Sequence, residues 1–445
     1  MKPARNKLSR APRSATPTRA AEPFPLWLGR LAIWLLLLVV PLLFTPAAKE
    51  GFRLVKSMAS GWLVLASLTF FAWEVRKVES IRWADLWARP AVRIVLPILA
   101  VATLGLATSA HPLHVREGLF DLWIGAAALA GWSLALTAER LERFLAGLLI
   151  PGALLALLGI LQFHGVFRPL QFTGIDYDAR LAVTSLAGNP GDLGAFLVLP
   201  SLIGQGLLLR VRGMRRLWVA LALALSLYGI VLSQTLAALA ALGVGSVLLW
   251  IARLPRRRAL LLLGGGAALA LVVVLAVAPL RSRLAAKAGQ ALAGDWNSVL
   301  TGRLDGWRAA AWMVREHPWA GVGHGAYRPE YVPAMNDLLD RGVQIYPQRL
   351  QPVFANAHNE FLEVAAEWGL PGIAALAWAL FVLGTVLRRG PHDAGRALAW
   401  AGTAALAVLS LAYFPFRVAL VAWPAVLFLA WVLRRGDGEP AEGAI

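Results

Sequence analysis

The chain has 445 residues, of which 58% are hydrophobic and only 15% are charged, and its mean hydropathy is +0.63. A soluble globular domain is nearer half apolar and about a quarter charged, so this composition excludes an ordinary soluble enzyme. The sequence contains no cysteine, which excludes disulfides and thiolate metal sites.

The net charge of +18 would suit a nucleic-acid-binding protein, but its distribution along the chain does not. Lys and Arg are concentrated in alternate connections between apolar segments, among them residues 76–93, 210–216, 253–258, 388–396 and 434–435. That alternation follows the positive-inside rule of membrane proteins. We therefore expect both termini in the cytoplasm and no binding of nucleic acid.

Apolar segments of membrane-spanning length recur along the chain and predict an all-α polytopic membrane protein with about 12 transmembrane helices. A shorter outer loop is expected at residues 164–192, among the first nine helices. In chain order we expect a disordered basic cytoplasmic tail, transmembrane helices 1 to 9, a large periplasmic loop with amphipathic helices, transmembrane helices 10 to 12 and a cytoplasmic tail, over residues 1–25, 26–279, 280–357, 358–433 and 434–445 respectively.

The shorter outer loop ends in the stretch "DARLAVTSLAGNPGDLGAF". Asn189-Pro190-Gly191 is a turn signal, and Asp192 is suited to cap the helix that follows. Arg180 is the only basic residue of that stretch. On the residues alone, it is either a charge that faces solvent or lipid phosphate, or part of an anion site.

The large loop is rich in Trp, Tyr and Arg. Within it, "TGRLDGWRAAAWMVREHP" predicts one amphipathic helix that ends before Pro318, with Arg303, Trp307 and Ala311 on one face. The Gly-rich stretch "AGVGHGAY" follows. Because no strand precedes it and no βαβ unit surrounds it, we interpret it as a plain turn rather than a nucleotide site.

The stretch "NAHNEFLEVAAEWGLPG" carries His358, Glu360, Glu363 and Glu367 where the tenth apolar segment begins. Ionisable groups at membrane depth are costly and mark functional sites, although side chains at the headgroup level can also be solvated and idle. In the first turn of a helix, His358 would be kept neutral by the macrodipole, whereas the carboxylates would favour the imidazolium. The direction of its pKa shift therefore stays open. No metal site is expected, because no second ligand cluster stands nearby.

Taken together, these features resemble the bacterial O-antigen ligase and O-antigen polymerase superfamily, which also includes pilin-type O-oligosaccharyltransferases. The resemblance rests on about twelve spans with a large outer loop before the last three, and on the stretches "RLAVTSLAGNPGDLGAFL", "TGRLDGWRAAAWMVREHPWAGVGHGAY" and "NAHNEFLEVAAEWGLPGI". It covers roughly the second half of the chain, since the first half matches only in hydropathy.

The resemblance implies an inverting, metal-independent membrane glycosyltransferase with no cofactor. Such an enzyme moves a glycan from undecaprenyl diphosphate to the hydroxyl of a glycan, lipid A core or protein acceptor, on the periplasmic side of the inner membrane. We favour ligase-type transfer, and an O-antigen or exopolysaccharide polymerase or a protein O-oligosaccharyltransferase is the alternative. A lipid-linked sugar flippase or transporter is more remote, because it would place ionisable residues near the bilayer midplane.

The resemblance also implies residue roles. His358 matches the general base, and Arg180 and Arg303 match catalytic arginines that bind the donor diphosphate. The resemblance further implies Arg308 and Arg349 as assisting donor-binding residues. Candidates to orient or support the histidine are Asn359, Glu360 and Glu363. Candidates to stack on sugar rings are Trp307, Trp319, Tyr327 and Tyr346.

Two details bear on the subtype. Members of the family often have Ser-Arg where this chain reads "VLSQTLAALAAL", so that arginine is missing, with Leu236 close to its position. Polymerases are often described with an Arg, ten residues and then a Gly in two outer loops. Arg180 to Gly191 has that spacing, whereas Arg315 to Gly325 is one residue short. For the lipid tail, we expect a path between the fifth and sixth spans and the large loop.

Overall fold

Long apolar helices form most of the chain, as the composition predicts. The computed structural model describes residues 24–47, 50–75, 83–168, 182–346, 354–391 and 393–437. Within these ranges all regular secondary structure is helical. Two predicted site residues, Arg180 and Arg349, lie outside the described residues, as do most of the two terminal tails.

Proline marks the start of several helices that precede the large loop. Pro90, Pro112 and Pro190 each stand at the start of a helix, where the missing backbone N–H costs nothing. The helices are α1 (Phe24–Leu38), α2 (Arg53–Val75), α3 (Trp83–Ala88), α4 (Pro90–Thr108), α5 (Pro112–Ala135), α6 (Ala138–Gly147), α7 (Leu149–Phe163), α8 (Pro190–Leu208), α9 (Met214–Ser233), α10 (Leu236–Arg253) and α11 (Arg256–Ala276).

The large loop is itself helical, and three further helices follow it. These are α12 (Ala278–Leu292), α13 (Trp296–Val299), α14 (Arg303–Glu316), α15 (Tyr327–Asp340), α16 (Glu360–Arg389), α17 (Ala394–Ser410) and α18 (Ala419–Gly436). The predicted amphipathic helix is α14, and it ends before Pro318 as expected.

Among the described residues, eleven helical stretches are long and apolar enough to cross a membrane, with α6 and α7 acting as one stretch. The one predicted span not among them, the eleventh in chain order, corresponds to α17, an apolar helix of 17 residues. The predicted fold class, an all-α polytopic membrane protein, is confirmed.

Two helices form the centre of the bundle. Of the span windows, 78% is buried in α8 and 61% in α18, whereas only 6% is buried in α11. A helix buried on all sides must be apolar all round, and α8 is apolar along nearly its whole length. Its one charged residue is Asp192, a carboxylate in its first turn with only 1% exposure. Because burying an unpaired charge is costly, this residue needs partners, and the site described below contains them.

A break in α16 ties the large loop to the bundle. Gly369 has φ of +63°, which interrupts the helix and frees the carbonyl groups of the preceding turn. The Gly-rich stretch of the loop supplies the missing donors: Val322 N donates to Ala366 O at 3.0 Å, and Gly323 N donates to Glu367 O at 2.9 Å. The turn predicted from "AGVGHGAY" is therefore present, and it pairs with the broken helix.

Candidate active site

His358 lies immediately before α16. Asn359 caps that helix by accepting a hydrogen bond from Leu362 N at 3.1 Å, so His358 precedes the first turn instead of belonging to it as predicted. Its φ is +56°, a left-handed backbone conformation that costs energy for a non-glycine residue. Strain of this kind is found at functional sites, where the surrounding structure maintains it.

The imidazole of His358 is mostly buried between aromatic rings. Its centroid lies 5.3 Å from that of Phe354 and 4.8 Å from that of Phe414, both in edge-to-face geometry. Its Nδ1 atom is buried and has no hydrogen-bond partner among the described residues. The ring is therefore fixed by packing, and a polar atom remains available for a ligand.

Burial lowers the pKa of His358 to about 3, and the positive charges of Arg303 and Arg53 act in the same direction. The imidazole is consequently neutral at physiological pH, the state that a general base requires. The sequence left this direction open because three glutamates follow the histidine closely, but those glutamates are occupied elsewhere.

Arg417, in the connection between α17 and α18, pairs with all three glutamates. Its guanidinium nitrogens lie 2.6 Å from Glu367, 3.2 Å from Glu363 and 3.7 Å from Glu360. Burial alone would lower the pKa of Arg417, but the three carboxylates outweigh burial and raise it. The carboxylates at the start of this membrane helix therefore balance a buried arginine. Sequence analysis did not single out Arg417, because it is about fifty residues away and no local pattern marks it.

The same carboxylates fix the backbone just before His358 and the connection that packs against its ring. Glu363 accepts hydrogen bonds from Ala357 N at 2.9 Å and from the Asn356 side chain at 2.8 Å. Glu360 accepts from Phe416 N at 3.0 Å. Asn359, Glu360 and Glu363 thus bind backbone N–H groups in the described part of the chain, and Nδ1 of His358 receives no carboxylate there.

A second arginine near the histidine, Arg53, was also missed by sequence analysis. It is the first residue of α2, and its Nε and Nη2 atoms donate to the two carboxylate oxygens of Asp192 at 2.9 and 3.0 Å. Tyr413 donates its hydroxyl to the same carboxylate at 2.6 Å. The Arg53 side chain is 44% exposed, and its Cζ lies 6.0 Å from the Phe414 ring that contacts His358. Its Nη1 group has no hydrogen-bond partner among the described residues.

These contacts correct the predicted role of Asp192. The residue that caps α8 is Asn189, whose side chain accepts from Asp192 N at 2.9 Å. Asp192 itself faces Arg53 and Tyr413, which provides the partners that its burial demands. Burial raises the pKa of Tyr413, and Asp192 raises it further, so that the phenol remains a hydrogen-bond donor.

Arg303 begins α14 and is mostly buried. Burial lowers its pKa, and the charge of Arg283 lowers it further, yet a guanidinium remains charged at neutral pH. No hydrogen-bond acceptor contacts its guanidinium among the described residues. Arg283 donates to Gln234 Oε1 at 3.1 Å. Gln234 lies two residues before Leu236, whose side chain is 54% exposed. A different arginine thus approaches the turn where the Ser-Arg arginine is missing.

The remaining predicted donor-binding residue in the described part, Arg308, lies within the loop scaffold. Its Nη1 donates to Gln344 O at 3.0 Å and lies 3.6 Å from the Asp305 carboxylate. Asp305 also accepts from Tyr346 N at 2.8 Å. Arg308 therefore fixes the fold of the loop around Arg303 in this structure.

The four predicted stacking aromatics differ in accessibility. Trp319 is 75% exposed, and Tyr346 is partly exposed and packs against Gly302. Trp307 is mostly buried, and its indole N–H has no hydrogen-bond partner among the described residues. Tyr327 is 1% exposed and donates its hydroxyl to Gly306 O at 2.8 Å, so its ring belongs to the core of the loop. Trp319 and Tyr346 are thus the two of these rings that are accessible from outside the loop.

Comparison with known families bears on this region directly. Residues 221–377 match the family model described as O-antigen ligase. This part of the chain is similar to O-antigen ligase domains. The resemblance predicted from the motifs is confirmed for it, and the matched range contains Arg303 and His358. No curated protein matches the chain.

Residues outside the matched range also contribute to the site. Arg53 and Asp192 precede that range, whereas Tyr413 and Arg417 follow it. Within the described ranges, no three His, Asp or Glu side chains are grouped so that they could hold a metal ion. The assembled site therefore consists of one neutral imidazole, guanidinium groups from two parts of the chain and a buried carboxylate that orients one of them.

Proposed function

We propose that this protein is a membrane glycosyltransferase that moves a glycan from undecaprenyl diphosphate to an acceptor hydroxyl at the periplasmic face of the inner membrane. The observation that carries the proposal is the buried His358 imidazole, whose Nδ1 has no partner among the described residues and whose pKa is lowered by burial and by the nearby charges of Arg303 and Arg53. The similarity of residues 221–377 to O-antigen ligase domains supports the same reaction class.

The arginines suit the leaving group of the donor. A lipid diphosphate gains negative charge as its bond to the sugar breaks, and guanidinium groups bind phosphate oxygens through paired N–H donors without losing their charge. Arg303 has no competing acceptor among the described residues, and Nη1 of Arg53 is likewise available. We assign both to the diphosphate, together with Arg180 by resemblance.

His358 acts as the base in a single inverting displacement. The acceptor oxygen forms a bond to the anomeric carbon while its proton moves to the imidazole. The bond from that carbon to the diphosphate oxygen breaks, and the electron pair leaves with the diphosphate. Since the charges of Arg303 and Arg53 lower the pKa of His358 in the empty site, a bound diphosphate that offsets them raises it again. The donor therefore makes the histidine a better base.

The orientation follows from the charge pattern. Connections rich in Lys and Arg lie on the cytoplasmic side of bacterial inner-membrane proteins, which puts both termini there and the large loop in the periplasm. Transfer outside the cytoplasm fits a reaction that needs no nucleotide, because the energy is stored in the lipid diphosphate linkage. We favour a lipid A core acceptor, and a growing glycan or a protein hydroxyl is the alternative.

The test is transfer in vitro by purified protein in detergent, with a chelator present. An undecaprenyl-diphosphate-linked oligosaccharide is offered with separate lipid A core, glycan and protein acceptors, and products are read by gel shift. Wild type is expected to transfer. His358→Asn, which tolerates the left-handed backbone, is expected to lose at least about 100-fold in rate. His317→Ala changes an exposed histidine of the same loop and serves as the matched control.

Three outcomes distinguish the proposed glycosyltransferase from its alternatives. Loss of transfer in His358→Asn alone supports the proposal, and the acceptor that shifts identifies the subtype. Equal rates in both variants would remove His358 as the base. Binding of the donor without transfer to any acceptor would favour a lipid-linked sugar transporter over an enzyme.

A further inference from the structure

A large cavity lies inside the bundle, away from the gap that we expected to admit the lipid tail. Its volume is about 870 Å³, in the upper part of the ~300–1,000 Å³ range of ligand pockets. Six helices surround it: α2, α4, α5, α16, α17 and α18. By contrast, the space between the fifth and sixth spans is filled near Gly159, where an added Cβ would lie 3.0 Å from the Leu193 side chain.

The cavity is apolar through most of its depth and opens sideways. Its wall includes Ile94 and Val95 of α4, and it continues along α18 as far as Leu433. Trp62 and Phe120 also line it, and they are 73% and 61% exposed. An opening flanked by exposed apolar side chains on membrane-spanning helices faces the hydrocarbon of the bilayer, so a lipid chain can enter without crossing water.

One end of the cavity meets the candidate active site. Its lining there includes Asn356, two residues before His358, and Phe416, two residues after the Phe414 ring that contacts the imidazole. On α2, Ser57 lines the cavity four residues after Arg53, which is one helical turn or about 6 Å along the axis. A lipid whose head lies at Arg53 thus has its first carbons at the mouth of the cavity.

The charges at this end separate the head from the chain. On the His358 side stand the guanidinium groups of Arg303 and Arg53. On the cavity side, Glu360 and Arg417 are part of a cluster in which three carboxylates surround one guanidinium. The first group attracts an anionic head, whereas the guanidinium of the second is already paired with carboxylates and offers a phosphate no comparable attraction. A diphosphate therefore stays beside His358, and only an uncharged chain enters the cavity.

We infer that this cavity holds the polyprenyl chain of the donor. The inference rests on the proposed function, because it assigns the chain of the same lipid whose diphosphate the arginines bind. It adds a second determinant of specificity, because the enzyme recognises the length of the carrier chain as well as its charged head. The binding free energy from apolar burial grows in proportion to the number of isoprene units inside the cavity.

Two glycines allow the cavity to be filled without disturbing its walls. Gly61 of α2 and Gly125 of α5 both line it, and an added Cβ at either would meet nothing within 4 Å. Gly61→Phe and Gly125→Phe would therefore place a ring in the space of the chain. Gly243→Phe is the matched control, since an added Cβ at Gly243 of α10 also meets nothing within 4 Å and Gly243 does not line the cavity.

The experiment compares two donors that carry the same glycan diphosphate, one on undecaprenol and one on a single isoprene unit, which is too short to reach Gly61. In wild type we expect the long chain to give the lower KM. Gly61→Phe and Gly125→Phe are expected to raise KM for the long-chain donor by about tenfold or more and to leave the short-chain donor within about twofold. Equal effects on both donors, or none, would overturn the inference.

A binding measurement keeps the inference separate from the activity. Undecaprenyl diphosphate with a photoreactive group at the far end of its chain is crosslinked to the protein, and the labelled peptides are mapped. The cavity predicts labelling of α18 or α5, and loss of that labelling in Gly61→Phe. Labelling of α7 and α8 instead would overturn the inference. Absence of transfer together with the predicted labelling would reject the proposed function and leave the chain site standing.

Discussion

At the level of single residues, the site works through charge balance around His358. Burial and two guanidinium groups keep the imidazole neutral, while Arg417 pairs with the carboxylates that would otherwise stabilise the imidazolium. Asp192 neutralises part of the charge of Arg53 and fixes its direction. Each of these charged groups contacts its own partners, so a substitution at one residue has a defined effect on the group that it contacts.

The pH dependence of kcat/KM follows from the lowered pKa of His358. A histidine with the ordinary pKa of 6.5 would be half protonated at that pH, whereas one with a pKa of about 3 stays neutral until the pH approaches that value. Since kcat/KM reports groups of the free enzyme, we expect no loss from His358 between pH 8 and about 5. Initial rates at low donor concentration across that range measure it. A fall with a midpoint near 6.5 that is absent from the residual activity of His358→Asn would contradict this.

Arg53 is expected to act on the donor and Asp192 to act through Arg53. Arg53→Ala removes a charge-assisted contact and should lower kcat/KM by about 100-fold. Arg53→Lys keeps the charge without the fork and should lose about tenfold, mostly in KM for the donor. Asp192→Asn should resemble Arg53→Lys more than Arg53→Ala. Steady-state kinetics with a fixed acceptor tests the order, and equal losses in all three variants would mean a merely structural ion pair.

Sequence analysis reached His358 and Arg303 because short motifs mark them. It could not reach Arg53 or Arg417, since each meets its partner only through tertiary packing: Arg53 pairs with a carboxylate 139 residues away. The choice of Asp192 as a cap was wrong for a local reason. Pro190 takes the first helical position, which makes Asn189 the cap and turns Asp192 inward.

At the level of elements, the break in α16 joins a loop to a membrane helix. Gly321 and Gly369 both have φ of +63°, and each stands close to the backbone of the other segment. An added Cβ at Gly321 would lie 2.3 Å from the carbonyl carbon of Glu367, which is far inside contact distance. A glycine in the sequence indicates a position where φ can be positive, but it does not indicate which segment lies across the contact.

Gly321→Ala is expected to destabilise the protein more than the backbone conformation alone explains. A left-handed alanine costs about 1–2 kcal/mol, and the contact with α16 adds to that. Gly342→Ala is the control, because Gly342 has φ of +79° but an added Cβ there meets nothing within 4 Å. Thermal unfolding in detergent measures the two variants, and equal midpoints would show that the contact is dispensable.

At the level of the whole molecule, hydropathy predicted the membrane class and nearly all the spans. Lengths and apolar content suffice for that, since each membrane helix satisfies its own backbone hydrogen bonds. The cavity between α2, α4, α5, α16, α17 and α18 was beyond prediction, because it depends on how helices from both ends of the chain pack together. Its position differs from the gap that adjacency in sequence had indicated.

The orientation of the whole molecule can be tested with single cysteines, because the chain contains none of its own. Trp319→Cys places a thiol at a position that is 75% exposed in the large loop, and Arg212→Cys places one in a basic connection. A thiol reagent that cannot cross membranes should label Trp319→Cys in intact spheroplasts and label Arg212→Cys only after lysis. The reverse pattern would place the loop in the cytoplasm.

The pairing of the Gly-rich turn with the broken helix also constrains how the protein is made. The donors at Val322 and Gly323 are synthesised before the acceptors at Ala366 and Glu367. A growing chain that has reached residue 350 therefore has the loop helices but lacks the groups on which they close. The loop therefore cannot complete its fold until the tenth span leaves the ribosome and inserts. Truncation before that span would yield an incomplete loop, and a chain released at that stage is a ready target for proteolysis.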